Sequence, residues 1–496
     1  MSDKLQRARE YEKEAMRRIP EGQKPDFHLC GPVGWINDPN GFSCFQGEYH
    51  LFFQYHPYST KWGPMHWGHA KTKDFIRWEF LPAALAPDQD YDGQGCFSGS
   101  ALEYDGKQYL MYTGVKETEG PDGKPVIRQT QCMAQGDGID YRKWDCNPVI
   151  SADSLPKGSS PEDFRDPKIW REEDGFYAVI GSRSEDTSGQ ILLYRSEDLK
   201  NWELAGVLDR SKNEYGKMWE CPDFFPLDGG QVLITSPQFM EAKGLEFHNG
   251  NGTIYLVGKY DPVSRRFERT VPKARAIDYG LDFYAPQTLL APDGRRVMIA
   301  WMKNWDNDLT PDGFAWSGFM TIPRELSLKD GKLYQQPVRE LERYYGKEIQ
   351  AGQVLEGETE CVPKVEFPGI RGRLFDMTVE VKSGDYERFE IDLAADETHR
   401  TILYYEPKSG VLTFDRTWAG NQFHDSVTSR SCYVAQKDGA IRLRIVMDKY
   451  AAEIFVNDGE QAMSCLTYTD LTAEGIRFGA KGKAAFQAKW HELKME

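Results

Sequence analysis

The chain has 496 residues, with 77 acidic against 61 basic side chains and a formal net charge of −16. This length predicts two or three domains, each large enough to bury its own core. The acidic balance and the lack of a basic run argue against a nucleic-acid partner. No stretch approaches the roughly 20 apolar residues of a membrane span, so a membrane partner is not expected either.

Residues 1–30 are the first predicted unit, a short N-terminal helical segment. The segment is highly charged, has the pattern of one amphipathic surface helix ended by Pro20, and lacks the continuous apolar core of a signal peptide. The nine cysteines are scattered, with no Cys-x-x-Cys pair and no spacing suited to zinc. Reduced thiols and the missing signal peptide together predict a cytoplasmic protein.

Residues 31–338 contain a repeat. Short strand-like segments alternate with turns, and hairpin signals recur 54 to 69 residues apart at five glycines: Gly47, Gly106, Gly175, Gly229 and Gly294. An Asp-x-x-x-Trp element lies between them and ends at Trp78, Trp144 and Trp202, with a degenerate copy ending at Phe267. Five such units predict a five-bladed β-propeller, with an irregular β-sandwich array as the alternative.

Equivalent positions of the repeat place three carboxylates level with one another. Asp38, Asp166 and Glu220 each lie nine residues before a turn glycine, on what should be the innermost strand of a blade. Ser98 and Ala285 occupy the matching places in the other two blades. A single aspartate beside a proline can equally well have only a structural role in a turn, as in the Asp-Pro-Asn-Gly sequence that begins at Asp38. Three acids in register predict a functional cluster at one end of the central channel.

Convergent carboxyl groups are the catalytic apparatus of a retaining glycosidase. One attacks the anomeric carbon, and the other protonates the leaving oxygen and then activates water. A third can hold sugar hydroxyls while positive charge develops. Aromatic residues make up 13% of the chain, which suits stacking on sugar rings, and Trp62, Phe97, Tyr284 and Trp301 are the candidates by position. The nine histidines do not cluster with the acids, so no catalytic metal and no cofactor are expected.

Seven blocks of the chain resemble, in order, the successive motifs of glycoside hydrolase family 32. They are WINDPNGF, LFFQYHP, WGPMHWGHAKTKD, CFSGS, FRDPK, WECPDFF and LDFYAPQT. That family includes invertases, sucrose-6-phosphate hydrolases, inulinases and levanases. The resemblance implies a five-bladed propeller followed by a β-sandwich, in agreement with the count of five from the turns.

The resemblance also implies roles for the three acids. Asp38 is similar to the family's nucleophile, which attacks C2 of a β-fructofuranosyl unit, Glu220 to its acid/base, and Asp166 to the residue that stabilises the transition state. Cys221, beside Glu220, is interpreted either as a small buried side chain or as an influence on the pKa of that acid. The residues expected to contact the sugar are Trp35, Asn37, Gln54, Trp62, Phe97, Ser98, Arg165, Tyr284 and Trp301, with Trp305 competing for the place of Trp301.

The repeat ends near residue 338. Residues 339–352 are predicted to form a helical connector, and residues 353–496, with alternating strand patterns, an antiparallel β-sandwich. The sandwich is expected to stabilise the propeller and to form a homodimer, with carbohydrate binding as the alternative.

These patterns and the resemblance predict an all-β enzyme acting on a small-molecule sugar. The expected reaction is retaining hydrolysis of terminal β-D-fructofuranosyl units from sucrose, sucrose 6-phosphate or short fructo-oligosaccharides, through a covalent fructosyl-enzyme intermediate. A fructosyltransferase on the same scaffold and a non-catalytic carbohydrate-binding propeller are the alternatives.

Overall fold

The computed structural model describes residues 1–120, 123–307, 309–357, 362–420 and 427–495. Within these ranges, no helix is long and apolar enough to cross a membrane. The helical elements are α1 (Asp3–Ala15) and the 3-10 turns Met16–Arg18, Ala152–Ser154 and Arg339–Tyr344.

Helix α1 confirms the predicted N-terminal helix. The Ser2 hydroxyl accepts a hydrogen bond from the Leu5 backbone N–H at 3.3 Å, which is the usual N-cap contact. Leu5 is buried, and Arg9 Nε donates to the Ala83 carbonyl at 2.9 Å. These contacts dock the helix on the first blade of the domain that follows.

Five antiparallel sheets form the blades of a β-propeller, which confirms the predicted count. The first strands are β1 (Gly34–Phe45), β2 (Glu48–His56), β3 (His66–Thr72) and β4 (Trp78–Leu85), then β5 (Gly95–Tyr104), β6 (Lys107–Glu119), β7 (Pro125–Gly136) and β8 (Tyr141–Lys143). The third and fourth blades contain β9 (Phe164–Glu172), β10 (Gly175–Arg183), β11 (Gly189–Ser196), β12 (Trp202–Arg210), β13 (Met218–Leu227), β14 (Gly230–Gln238), β15 (Ile254–Asp261), β16 (Arg266–Arg269) and β17 (Arg275–Ala276). The fifth blade contains β18 (Tyr284–Leu290), β19 (Arg296–Trp301), β21 (Arg324–Lys329) and β22 (Lys332–Pro337).

A short strand closes the ring of blades. Strand β20 (Trp316–Ser317) leaves the fifth blade between β19 and β21 and pairs in parallel with β1, with Trp35 opposite Ser317. The first and last blades are therefore joined through main-chain hydrogen bonds.

In the first and third blades the Asp-x-x-x-Trp element marks the entry to the outermost strand, whereas in the second blade it contains the short strand β8 and its Trp144 follows that strand. Trp78 begins β4 and Trp202 begins β12. The Asp74 carboxylate accepts from the backbone N–H groups two and three residues further on, at 3.1 and 2.8 Å, and Asp198 does the same at 2.9 and 2.8 Å. The aspartate thus shapes the turn, which is the usual role of such a side chain.

The C-terminal domain is a β-sandwich built on one long strand. Its strands are β23 (Tyr345–Gly357), β24 (Lys364–Val365), β25 (Leu374–Lys382), β26 (Tyr386–Ala395), β27 (Thr401–Glu406), β28 (Val411–Asp415), β29 (Ser429–Tyr433), β30 (Ala440–Asp448), β31 (Ala451–Val456), β32 (Gln461–Leu466) and β33 (Gly475–Leu493). One half of β33 pairs with β26 and the other half with β25, so it passes through both layers. Side chains of both layers share a single buried core.

The prediction of a helical connector over residues 339–352 is wrong beyond Tyr344. Only residues 339–344 are helical, as a 3-10 turn, and residues 345–357 form β23. This strand pairs with β33 from Tyr345 opposite Leu493 to Gly357 opposite Gly482. Pairing with a strand more than a hundred residues away outweighs the local preference of these residues for helix.

Buried charges join the propeller to the sandwich. His28 Nδ1 lies 3.0 Å from Asp448 Oδ2, and its Nε2 lies 2.8 Å from Glu453 Oε1. Arg324 Nε donates to the second Glu453 oxygen at 3.0 Å, and Arg324 Nη1 donates to Asp278 at 3.0 Å. All of these partners are buried, so losing any one of them would leave a charge without compensation.

Candidate active site

Each of the three predicted carboxylates lies on the first strand of its blade, at or beside a β-bulge. Asp38 is on β1, Asp166 on β9 and Glu220 on β13. In all five blades the pairing of the first and second strands shifts at this level. A bulge bends the strand and re-aims its side chains, which is how loops and rims of β-structures commonly position functional groups.

The predicted register needs a correction in the first and fourth blades. In the first blade the last paired residue before the bulge is Ile36, so Asn37, and not Asp38, is level with Asp166. Arg165 and Glu220 are the last paired residues before their bulges, so these two are level with each other. Cys221 is level with Asp166: both precede a proline, and both have positive φ, 46° and 66°. Counting back from the turn glycines displaced the fourth blade by one residue relative to the third. The turn glycine of the fourth blade lies inside its two-residue loop, whereas that of the third blade lies just after the loop.

Donors from three blades hold the Asp38 carboxylate. Ser98 Oγ donates to Oδ2 at 2.7 Å, and Asn37 Nδ2 donates to Oδ1 at 3.1 Å. The Asn37 amide is fixed in turn by Trp35 Nε1, which donates to its oxygen at 2.9 Å. Cys221 Sγ lies 3.5 Å from Oδ2. Contacts on both oxygens fix the orientation of this carboxylate.

Arg165 lies between the other two acids. Its Nε donates to Glu220 Oε1 at 3.0 Å and is 3.9 Å from Asp166 Oδ2. The guanidinium also bonds to Asp163 at 2.9 Å, so its position is fixed from the far side. The Tyr284 hydroxyl donates to Glu220 Oε2 at 2.6 Å. Both oxygens of Glu220 therefore have a donor from a neighbouring blade.

Burial raises the pKa of two of the three acids. The pKa of Asp166 is raised to about 7, chiefly by burial, with Arg165 opposing the rise and the charges of Glu220 and Asp38 adding to it. The pKa of Glu220 is also raised, by burial first, with Arg165 opposing and the charge of Asp38 adding. A cluster of this kind retains a proton nearer to neutral pH than isolated carboxyls do, which is what a general acid needs.

The thiol and the backbone N–H of Cys221 form hydrogen bonds with the two aspartates, and not with the side chain of Glu220. Its backbone N–H donates to Asp166 Oδ2 at 3.0 Å, while its thiol faces Asp38. Burial raises the pKa of the Cys221 thiol well above its usual range, so the group is a neutral S–H. These contacts favour a positioning role over a direct effect on Glu220.

Aromatic rings form the rim beside the acids. Trp35 stacks on Trp305 with ring centroids 6.0 Å apart, and Trp301 meets Trp305 edge-on at 4.9 Å. Trp301 has no exposed surface, whereas Trp305 is 38% exposed. Trp62, half exposed, lies edge-to-face with Phe97 at 6.1 Å. Trp305, the competitor of Trp301 in the sequence, is thus the ring of this pair that reaches solvent.

The structure gathers most of the residues expected to contact the sugar. Asn37, Ser98, Arg165 and Tyr284 each bond directly to one of the three acids. Gln54 lies opposite the bulge of β1, with its amide donating to a main-chain carbonyl of the second blade at 2.9 Å. No local pattern favours Trp305 over Trp301 or predicts the contact of Cys221 with Asp38, because both depend on how distant segments meet.

The arrangement can perform acid–base and nucleophilic chemistry on a sugar. One oriented carboxylate lies near two carboxyls of raised pKa, with aromatic rings at the rim. Among the residues that the structure describes, no three His, Cys, Asp or Glu side chains are grouped so as to hold a metal ion. Fold and site together define a glycoside hydrolase that works through carboxyl groups.

Comparisons with known proteins identify the family. The family models described as "Glycosyl hydrolases family 32 N-terminal domain" and "Glycosyl hydrolases family 32 C terminal" match residues 28–337 and 340–495. The chain belongs to glycosyl hydrolase family 32 and is an enzyme of the β-fructofuranosidase type.

Curated relatives and solved structures resemble the chain over almost its whole length. It is 38% identical to a raffinose invertase of Escherichia coli, over 93% of both chains. It is 37% identical to a sucrose-6-phosphate hydrolase of Zymomonas mobilis, over 98% of this chain and 95% of that one. The GH32 beta-fructofuranosidase BmSUC1 of Bombyx mori superposes with a TM-score of 0.84 and 32% identity, over 99% and 98% of the two chains. The sucrose-6-phosphate hydrolase of Lactobacillus gasseri gives 0.85 and 28%, over 98% and 97%.

Proposed function

We propose that this protein hydrolyses terminal β-D-fructofuranosyl units of sucrose, sucrose 6-phosphate or short fructo-oligosaccharides with retention of configuration. The observation that carries the proposal is the contact of three carboxyl groups from three blades through shared partners. Arg165 joins Glu220 to Asp166, and Cys221 joins Asp166 to Asp38. Relatives named as invertases and sucrose-6-phosphate hydrolases support the substrate class.

In the first step Asp38 attacks C2 of the fructosyl unit while Glu220 protonates the leaving oxygen. The bond from C2 to that oxygen breaks, a bond from C2 to an Asp38 oxygen forms, and the Glu220 proton moves to the leaving group. Glu220 becomes a carboxylate in this step. Arg165 and Tyr284 donate to its two oxygens, so they stabilise the charge that develops there.

In the second step water replaces the leaving group. The Glu220 carboxylate removes a proton from water, the oxygen attacks C2, and the bond to Asp38 breaks. Two inversions at C2 give β-fructose. Asp166 is proposed to hold fructose hydroxyls while positive charge develops at C2.

The rim residues are proposed to hold the sugar rings. Trp35, Trp62 and Phe97 supply aromatic surface near Asp38, and Trp305 takes the place first assigned to Trp301 because Trp301 is fully buried. Asn37, Gln54 and Ser98 offer polar groups at the same level.

Two variants and a matched control test the roles. Asp38→Asn should lose turnover of every fructoside, whereas Glu220→Gln should lose kcat/KM on sucrose but keep much of it on a β-fructofuranoside with a phenolate leaving group, which needs no protonation. Glu203→Gln, on the exposed outer strand of the third blade, should behave as wild type. Wild-type turnover in both active-site variants would reject the assignment, as would release of α-fructose in an NMR time course.

A comparison of kcat/KM on sucrose, sucrose 6-phosphate, 1-kestose and inulin distinguishes the candidate substrates, and the share of fructose transferred to sugar instead of water tests the transferase alternative. We also propose a cytoplasmic location and a homodimer formed through the sandwich. Light scattering at several protein concentrations tests the dimer, and a monomeric mass throughout would reject it.

A further inference from the structure

A second cavity lies between the propeller and the sandwich. Its volume is about 420 Å³, which suits a small molecule. On the propeller side it is lined by residues of the loop 239–253, which joins β14 to β15 and includes His248. On the sandwich side it is lined by residues of β29, including Arg430.

Arg430 is the unusual group in this cavity. Its guanidinium forms no hydrogen bond or ion pair with any part of the chain that the structure describes, and its buried Nε lacks an acceptor. Burial lowers the pKa of Arg430, with Asp306 and Asp282 opposing this. Both acids have other partners: Asp306 accepts from the Asn251 backbone N–H at 2.7 Å, and Asp282 from an arginine of the sandwich at 2.6 Å. Among the described residues, Arg430 therefore has no bonded counter-ion. Two carboxyl side chains also line the cavity: Asp278, which is paired with Arg324 at 3.0 Å, and Glu246, which accepts from the Tyr279 hydroxyl at 3.1 Å.

The neighbouring His248 is neutral. Burial lowers the pKa of His248 to about 4, and the charge of Arg430 adds to this. Its Nε2 is 3.2 Å from the Asn251 carbonyl oxygen, so this nitrogen carries the proton and Nδ1 is left as an acceptor. A guanidinium that can donate two parallel hydrogen bonds, next to an acceptor for a hydroxyl, matches the chemistry of a phosphate monoester.

The cavity shares its loop with the rim of the active site. Asn304 Nδ2 donates to the Asn251 carbonyl at 2.9 Å, and Asp306 accepts from the Asn251 backbone. These two residues flank Trp305, whose ring stacks on Trp35. A ligand held at Arg430 thus contacts the same loop that supports the rim.

We propose that the cavity around Arg430 binds the phosphate group of a phosphate monoester. The phosphate is carried either by the sugar substrate, as in sucrose 6-phosphate, or by a separate phosphorylated ligand, and the first source rests on the proposed function. The net charge of −16 disfavours anions overall, so a local guanidinium is what such a group requires.

The test combines binding with kinetics on the full-length protein. Calorimetry measures the affinity for inorganic phosphate and for glucose 6-phosphate, and kcat/KM is measured on sucrose and on sucrose 6-phosphate. The variants are Arg430→Gln and Arg430→Lys, which keeps the charge but not the planar pair of donors. Arg371→Gln is the matched control, since Arg371 is an exposed, ion-paired arginine of the same sandwich.

We expect wild type to bind glucose 6-phosphate, Arg430→Gln to weaken this binding at least about tenfold, Arg430→Lys to fall between them, and Arg371→Gln to match wild type. A matching fall in the ratio of kcat/KM for sucrose 6-phosphate over sucrose identifies the substrate as the source, and an unchanged ratio identifies a separate ligand. Equal phosphate binding by wild type and Arg430→Gln, or none by wild type, overturns the proposal. If wild type hydrolyses neither sugar, the proposed function fails, and the binding measurement still decides on the site.

Discussion

The hydrogen bond from Tyr284 to Glu220 should control how readily Glu220 releases its proton. At 2.6 Å it is a short O–H···O contact to a group that becomes charged, worth about 1.5 to 3 kcal/mol in the ionised state. Tyr284→Phe removes it. At about 1.36 kcal/mol for each pKa unit, the pKa of Glu220, already raised by burial, should rise further by about 1 to 2.

The sign of the effect follows from the role of Glu220 as an acid in the first step. The free enzyme is active while Glu220 is protonated, so kcat/KM falls as the pH rises through its pKa. In Tyr284→Phe the alkaline limb of the kcat/KM profile on sucrose should move upward by about 1 to 2 pH units, and the maximum should fall about 10- to 100-fold because the emerging carboxylate loses a donor.

Steady-state kinetics between pH 4 and pH 10 would measure both effects. Tyr433→Phe, which removes the hydroxyl of a tyrosine that is 61% exposed on the sandwich, is the control and should leave the profile unchanged. An alkaline limb that stays in place, or moves downward, would refute the assignment of Glu220 as the group that Tyr284 stabilises.

Three other predictions follow from buried groups. Burial opposes a charge on His28, but two carboxylates of the sandwich raise the pKa of His28 to about 9. The charged His28 therefore adds about 3 kcal/mol to the free energy of unfolding below pH 6.5, and this contribution is lost as the pH rises to 9. His28→Gln should therefore lower the free energy of unfolding in urea by that amount at pH 6 and by little at pH 10, and equal losses at both would contradict the charged state. Burial raises the pKa of Glu12 to about 7, so its ionisation destabilises the fold above pH 4.5, and Glu12→Gln should raise the melting temperature at pH 9 but not at pH 4. Cys221→Ala should lower kcat/KM on sucrose no more than about tenfold, because a thiol is a weak donor to Asp38. A loss as large as that of Asp38→Asn would contradict the positioning role of Cys221.

Short sequence patterns predicted most of the architecture. The number of blades, the position of their first strands and the turns before the outer strands of the first and third blades follow from short segments, since a hairpin glycine or an Asx turn acts within a few residues. The three carboxylates were found for the same reason, as each lies within one residue of the same level of its blade, at the bulge of the first strand.

Other features depend on contacts that no local pattern contains. The bulges decide that Glu220 is level with Arg165 and that Cys221 faces Asp38, although turn counting put Glu220 level with Asp166. Residues 345–352 become a strand only because β33 offers a partner.

The sequence by itself determined the fold class, the repeat and the identity of the three acids, because periodicity, turn chemistry and family motifs are written along the chain. The tertiary structure alone decided which groups touch and how each is charged. Burial and neighbouring charges set the raised pKa values of Asp166 and Glu220, and the packing of the two domains leaves the buried Nε of Arg430 without an acceptor among the described residues. These effects are sums over residues from different blades and from both domains, so they exist only after the chain has folded.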